Sequence, residues 1–421
     1  MSSTPPIDNL GTYDAIVVGA RCAGSPTAML LARKGYKVLL VDRATFPSDT
    51  ISTLIIHPGG VSSLRRWGLL DRLVATGCPP IDKYVFDFGP FALEGTSGTP
   101  ESPVTYAPRR TILDKILVDA AAEAGAEVRE GFSVDEVLFD EDGRVTGIRG
   151  REKDGRQVSE TARVVVGADG RHSRIAKSVE ARQYRDGPEL NAAYYTFFSG
   201  LPVKDIEIYA RDWRGIGAWP THDGLTLVLT GWPYSEFETN RRDVESSFYS
   251  TVDLVPEFAG RVRAATREER FVGAGIRNFF RKPFGPGWAL VGDAGYNKDS
   301  ITAQGIQDAF RDAEVLAGAL DEVFAGASTY DDALGRYHAA RDAHVLPMFE
   351  FTCQLATLEP PPPEMQQLLG AIHGNQEATD QFIRTFAGVT SPAEMFSPDN
   401  VGKIFASAEQ RAGSGVLASP R

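Results

Sequence analysis

The sequence predicts an α/β fold: a parallel-sheet domain assembled from three separated stretches, an antiparallel-sheet domain inserted between the last two, and a helical tail. Three observations predict it. Short apolar runs of the kind buried on both faces of a parallel sheet recur at Tyr13–Val18, Lys37–Val41, Arg163–Ala168 and Trp288–Val291. From about Asn191 to Arg270 the runs alternate instead, as in a sheet with one face packed and one face freer. Beyond the stiff break at Pro360–Pro363 the chain reads as helical and moderately polar.

The elements follow in order. Gly19 ends the run Tyr13–Val18, and Ala23–Lys34 places Thr27, Leu30, Leu31 and Lys34 at helical spacing before Gly35 stops it. With Lys37–Val41 this makes a strand–helix–strand unit. A second helix is expected over Pro58–Leu73, then an irregular stretch, Pro79–Tyr106, rich in Gly, Pro and aromatics. Thr111–Ala124 is amphipathic, with Ile112, Ile116 and Leu117 along one stripe. Three short strands with Asp-Gly turns at Asp142–Gly143 and Asp154–Gly155 come next. The inserted sheet is read as Ala193–Phe198, Ile206–Tyr209, Ile216–Thr221 and Leu225–Trp232, with His222–Asp223–Gly224 turning the last pair. A long helix is expected from Thr302 to Phe324. The parallel-sheet domain therefore takes residues 1–80, 107–180 and 271–330, the inserted domain 81–106 and 181–270, and the helical tail 331–421.

Bulk properties exclude several classes. The 421 residues carry a net charge of −12 with no compensating basic cluster, which argues against nucleic acid as a partner. Three cysteines, Cys22, Cys78 and Cys353, make no disulfide framework and show no metal-ligand spacing, so no metal is expected. The opening residues MSSTPPIDNLGT lack the charged and apolar regions of a signal peptide, and no apolar run is long enough to span a bilayer. A cytoplasmic setting is the expectation.

The chemistry begins at Val17–Ser25 (VVGARCAGS), a glycine-rich turn between the first strand and the first helix. A dinucleotide turn uses one glycine to turn tightly, a second to let backbone approach the pyrophosphate, and a third to pack helix on strand. Gly19 and Gly24 fill the first and third places, and Arg21 stands in the second. The helix start supplies unpaired N–H groups to a pyrophosphate. Asp42 ends the second strand 18 residues after Gly24, where a carboxylate binds ribose hydroxyls and repels a 2′-phosphate. Two later segments repeat the design. Val164–Arg174 (VVVGADGRHSR) is a strand, an Asp-Gly turn and a helix start; Trp288–Ala309 (WALVGDAGYNKDSITAQGIQDA) is a strand, Gly292–Asp293, then a loop entering a helix. A carboxylate at the strand end suits a flavin's sugar-alcohol chain, and a helix N-terminus suits negative charge on a reduced ring.

The three segments, in this order and separation, resemble the FAD-dependent aromatic hydroxylases of the p-hydroxybenzoate hydroxylase type, and their relatives the flavin halogenases and geranylgeranyl reductases. The resemblance covers roughly residues 13–330. It implies a Rossmann-like FAD-binding domain of glutathione-reductase type with an antiparallel substrate domain. It implies that Gly19, Gly24 and Asp42, with Ala20, Arg21, Ser25 and Arg43 beside them, meet the ADP half of FAD, and that Arg110 contacts its phosphate or ribose. Gly292 and Asp293 would hold the ribityl chain, Gly305 and Ile306 would offer N–H groups to the pyrimidine edge, and Asp169 and Gly170 would lie near both FAD and nicotinamide. The implied activity is hydroxylation of an aromatic or polyketide-like small molecule through a flavin hydroperoxide, with the flavin reduced by NAD(P)H and bound without a covalent link. The family's arginine seven positions after Asp169 is Ala176 here, and its His and Pro in the flavin loop are Asn297 and Ser300, so a separate flavin reductase stays open as a partner.

Several residues carry two readings. His57 and His222 are candidates for a base acting on a phenol, and equally for packing histidines. Of Tyr194, Tyr195, Phe197, Phe198, Trp219 and Trp232, strand alternation lets at most half line a pocket. Cys22 reads as a small helix-start residue, and Lys298–Asp299 as a solvated loop. A halogenase needs a lysine beyond the second strand, yet none occurs between Lys37 and Lys83, and Gly217–Pro220 (GAWP) keeps only part of that group's tryptophan stretch. Asp42–Pro47 (DRATFP) looks like the reductase branch, which remains the alternative; a non-catalytic flavin-binding protein is a further one.

Overall fold

The computed structural model describes residues 13–413. The opening segment read for a signal peptide lies outside them, as do the first residues of the first domain range and the last of the tail.

Among the described residues the first sheet has eight strands. Its path runs Phe284–Gly285, Trp288–Leu290, Gln157–Gly167, Tyr13–Val18, Val38–Asp42, Glu127–Glu130, and the strands Ser133–Phe139 and Val145–Arg151 extend it from Gln157–Gly167. The strands from Trp288–Leu290 to Glu127–Glu130 pair in parallel. Flanked on both sides, the first strand has no solvent face: Ile16 and Val17 are both fully buried. Alternate side chains feed two cores. Ala15, Val17, Leu40, Val164 and Val166 pack under the helices Gly24–Arg33, Arg110–Glu123 and Gly305–Phe324. Ile16, Leu39, Val41 and Val165 pack under the hairpin residues Val137 and Ile148 and under Ile175.

The second sheet also has eight strands, centred on Asn191–Ser199, Leu225–Pro233, Arg214–Pro220 and Ile206–Arg211 and extended by Tyr84–Asp87 and Ala92–Gly95. It is mixed rather than purely antiparallel, because Ile206–Arg211 joins Tyr84–Asp87 in parallel. One face, with Phe198, Ile216 and Val228, packs on the helices Val244–Val252 and Pro256–Ala264. The opposite face, with Tyr84, Phe86, Phe197, Trp219 and Leu227, packs on the tail through Leu368, Ile372, Phe382, Ile383 and Phe386. The tail is polar in composition but its helices are two-sided, and their apolar sides complete the second core.

Three expectations shift in detail. The helix over Pro58–Leu73 is two, Pro58–Trp67 and Leu70–Val74, because Gly68 takes the left-handed cap conformation at φ 74°. The run Arg163–Ala168 is the end of one 11-residue strand that enters from the hairpin. The long helix starts at Gly305 rather than Thr302: Ser300–Thr302 form a 3-10 turn and Ala303 breaks the path at φ 52°. No described helix is long and apolar enough to cross a membrane.

Candidate functional site

The turn after the first strand is packed as tightly as its glycines suggest. A Cβ on Gly19 would lie 2.4 Å from the Ala168 carbonyl oxygen, and one on Gly24 would lie 1.7 Å from the Gly19 oxygen. Arg21, standing where the fingerprint has a second glycine, has its guanidinium drawn sideways. It donates to Asp114 Oδ2 at 2.5 Å and to Ser48 Oγ at 2.8 Å, and lies over the Phe46 ring. Asp114 is fully buried and also receives Arg110 through Nε at 3.0 Å and Nη2 at 2.9 Å. One carboxylate thus holds two arginines beside the turn. The Cys22 thiol donates to the same carboxylate at 3.4 Å, and burial pushes its pKa far up, so it is an inert packing group. Asp42 ties the turn to the second strand, accepting from Ala20 N at 2.7 Å and from Ala44 N at 2.8 Å.

From this turn a groove of about 1240 Å³ runs across the sheet ends, more room than an ordinary small-molecule pocket provides. Of the residues singled out from the sequence, Gly19, Arg21, Asp42, Arg43, Arg110, Asp169, Gly170, Gly292, Asp293, Gly305 and Ile306 line it. Ala20, Gly24 and Ser25 do not; they belong to the turn itself. Gly305 opens the helix Gly305–Phe324, and a Cβ there would meet no atom within 4 Å, so the backbone at this helix N-terminus borders open space. Tight turn, helix N-termini, two arginines and carboxylates at strand ends are the donor and acceptor set that an FAD requires along its length.

Asp293 faces the open groove, yet the surrounding protein is close enough that burial raises its carboxyl above the usual range, with Arg110 and Arg171 pulling the other way. Asp169 is committed locally: it accepts from Ser173 Oγ at 2.5 Å and from Arg174 N at 2.6 Å, fixing the start of the short helix Arg174–Ser178.

The loop after Asp293 corrects one expectation. Lys298 and Asp299 are buried, not solvated. Lys298 pairs with Asp308 in the first turn of the helix, and Arg311 adds a second cation at 3.1 Å. Burial works against the Asp308 charge, but Lys298 and Arg311 outweigh it and hold the carboxyl below its usual range. Asp299 Oδ1 accepts from Asn191 Nδ2 at 2.8 Å and Ile301 N at 3.0 Å, while its own N–H donates to Asn278 Oδ1 at 2.7 Å. Burial pushes the Asp299 carboxyl up to about 7. The strands Asn191–Ser199 and Asn278–Arg281 roof the loop, and nothing in the local sequence announces partners so far away.

Neither histidine lines the groove. His57 is fully buried, with Nδ1 at 2.8 Å from the Tyr84 hydroxyl and Nε2 at 3.0 Å from the Thr302 carbonyl oxygen. The carbonyl can only accept, so Nε2 carries the proton and Nδ1 accepts from Tyr84. Burial lowers this imidazole to about 4. His222 bridges Thr76 Oγ1 at 2.7 Å and the Arg109 N–H at 3.2 Å, and fastens the hairpin tip to the start of helix Arg110–Glu123. Of the six aromatic candidates only Tyr195 lines the groove, its hydroxyl accepting from Ser52 N at 3.3 Å. Phe198 faces the opposite side of the sheet, Phe197 and Trp219 pack in the second core, and Trp232 donates to Thr251 Oγ1 at 2.7 Å.

The family model described as "FAD binding domain" matches residues 12–352. A curated relative, Tryptophan 2-halogenase from Chondromyces crocatus, is 24% identical over 345 residues, which is 79% of this chain and 65% of that protein, just under two thirds of its length. A second, "Probable NADH-specific resorcinol 4-hydroxylase" from Rhodococcus jostii, is 25% identical over 386 residues, 84% of this chain and 67% of that protein. Among solved structures, the myxobacterial chondrochloren halogenase superposes with a TM-score of 0.76 at 21% identity, over 94% of this chain and 96% of that one.

Proposed function

We propose, from the premise that the chain belongs to the FAD-binding-domain family and is an FAD-dependent oxidoreductase, that it is a monooxygenase hydroxylating an aromatic or polyketide-like small molecule, with NAD(P)H as reductant and a cytoplasmic setting. The observation that carries this reading is a single continuous groove. The dinucleotide residues Gly19, Asp42 and Arg110 line one part of it, and Ala193, Tyr195 and Leu229 of the second sheet line another. A cofactor lying along the groove brings its redox end to a substrate resting on that sheet. When bound and reduced, FAD supplies the oxygen-activating chemistry. The protein's share is binding and orientation. Asp293 would accept from the ribityl hydroxyls, and Gly305 and Ile306 would present N–H groups at a helix N-terminus, where the dipole favours negative charge. Tyr195 and Leu229 keep that end of the groove apolar and exclude water.

The second reading is a reductase or dehydrogenase of the geranylgeranyl reductase branch, favoured by Asp42–Pro47. Halogenation is disfavoured by the absence of lysine between Lys37 and Lys83. Arg171, Arg174 and Lys177 flank Asp169–Gly170 along the groove and offer cations to a nicotinamide dinucleotide. Ala176 supports the other route, a partner flavin reductase. The deciding experiment follows NAD(P)H oxidation, oxygen uptake and peroxide release with a panel of phenols. Product formed in step with oxygen supports the monooxygenase; substrate turnover without oxygen rejects it in favour of the reductase.

A further inference from the structure

The carboxylate of Asp299 has one oxygen fully used and one unused. Oδ1 is held by Asn191 and Ile301, whereas Oδ2 is buried with no hydrogen-bond partner among the described residues. A buried carboxylate oxygen left without a donor is costly, and it calls for a water, an ion or a ligand to complete it. Asp299 is 2% exposed and lines the groove. Its partner Asn191 stands on the same strand face as Ala193 and Tyr195, which also line the groove. The carboxylate therefore sits where the cofactor loop meets the second sheet. No neighbouring side chain serves Oδ2: Lys298 is committed to Asp308, Asn278 Oδ1 accepts from the Asp299 N–H, and Cys353 is a thiol raised by burial with Asp299 adding to the effect, while the Asn191 and Ser300 backbone N–H groups lie near enough to favour the charged carboxylate.

The neighbouring groove surface is largely apolar, built from Ala193, Tyr195, Leu229 and Ala274 on paired strands and from Ile276 just beyond them. Such a wall takes a flat ring system, and its small residues leave room for it. A polar group on that ring needs one partner, and Asp299, which lines the same groove and is bonded to Asn191 of the strand that carries Ala193 and Tyr195, is held next to this wall.

We propose that Asp299 is the substrate-recognition residue of this groove, its Oδ2 accepting a hydrogen bond from a hydroxyl or amine on the edge of a flat, otherwise apolar substrate. The proposal rests on the small-molecule reading of the groove given above. It names the polar feature a substrate must carry, and it makes the O-alkylated or N,N-dialkylated analogue a poor ligand although that analogue is the more apolar of the two.

The test uses the FAD-loaded protein and two probes, 1-naphthol and 1-methoxynaphthalene, titrated against the flavin absorbance spectrum without any reductant. At about pH 8, above the raised Asp299 value of about 7, the carboxylate is charged and wild type should bind the naphthol about ten-fold more tightly or better, the effect of one hydrogen bond to a charged group. Asp299→Ala should abolish that preference while its FAD dissociation constant stays unchanged. Should the alanine variant fail to fold, Asp299→Asn keeps the side chain's size and its bond to Ile301 N, and should reduce the preference several-fold. Equal affinities for the two probes in wild type, no spectral response to either, or a preference surviving in both variants would overturn the proposal. Oxygen-coupled turnover is read separately. A naphthol preference without coupled turnover keeps the recognition role and removes the monooxygenase, and coupled turnover with an unchanged KM in Asp299→Ala does the reverse.

Discussion

Asp114 offers the sharpest test of where the cofactor's phosphates lie. It is fully buried and is the shared ion-pair partner of Arg110, whose side chain is 9% exposed, and Arg21, whose side chain is 26% exposed. Asp114→Ala leaves both guanidinium groups without their counter-charge. Removing one partner of a buried pair costs about 3–5 kcal/mol. Water reaches Arg21 and takes part of its loss, so the lower end applies, about 3 kcal/mol, carried mainly by Arg110. Asp114→Asn keeps the shape and a carbonyl acceptor and should fall between the variant and wild type. The readout is urea unfolding followed by tryptophan fluorescence, with FAD removed and then restored. Two arginines beside a bound pyrophosphate would find a new anion there. Saturating FAD should therefore recover more stability in Asp114→Ala than in wild type. A deficit of the same size with and without FAD would refute the placement of these arginines at the pyrophosphate, and a deficit below about 1 kcal/mol would refute the buried-pair argument itself.

Other outcomes follow from the same geometry. Asp42→Ala removes the acceptor of Ala20 N and Ala44 N as well as the proposed ribose contact, and should weaken FAD by about 1.5–3 kcal/mol in equilibrium dialysis. Gly305→Ala places its Cβ in open space, so the FAD-free protein should melt no lower than wild type while its FAD dissociation constant rises at least several-fold. Asp293→Ala should retain the fold and, at saturating FAD, form less product per oxygen consumed; full coupling would reject its place at the flavin. His57 has a folded pKa of about 4 against 6.5 when exposed, so its share of stability is intact above about pH 6.5 and lost as pH falls toward 4. Asp299, raised to about 7, titrates with the opposite sign over the same range, so the comparison is between variants. Between pH 6.5 and 5, His57→Gln should lose about 1.6 kcal/mol less than wild type, and parallel pH curves would exclude His57 as a group buried in its neutral form.

Much of the fold was legible because its signals are local. A strand segment buried on both faces has to be apolar throughout, and Ala15–Val18 and Val164–Val166 are. Asp-Gly turns need positive φ, and Gly143 and Gly155 take it at 76° and 87°. The tail was less legible for a physical reason. Helix Gln376–Phe386 is polar on average, and its burial depends on Phe382, Ile383 and Phe386 meeting Phe86 and Tyr84 of a sheet nearly 300 residues earlier. The parallel join between Ile206–Arg211 and Tyr84–Asp87 was hidden in the same way, since no periodicity within either strand states its partner.

The candidate site divides along the same line. Glycines and strand-end carboxylates announce themselves because the backbone demands them at fixed offsets. Charges that need a distant partner do not. Lys298 and Asp299 look like a solvated pair until Asp308, Asn191 and Asn278 are brought over them. Arg21 looks like a defect in the glycine pattern until Asp114, 93 residues on, is seen to hold it. Glycine at that position keeps the path to a pyrophosphate clear by having no side chain. Arginine can occupy it only if its side chain is drawn aside, and a buried carboxylate fully enclosed by two arginines does this while leaving a net positive charge next to the turn. The substitution and Asp114 therefore form one device. Arg21→Gly alone should leave FAD binding within about ten-fold of wild type, because Arg110 still pairs Asp114. Arg21→Glu, which brings a second carboxylate against Asp114, should abolish FAD binding, and retention of FAD by that variant would show that the turn does not meet the pyrophosphate.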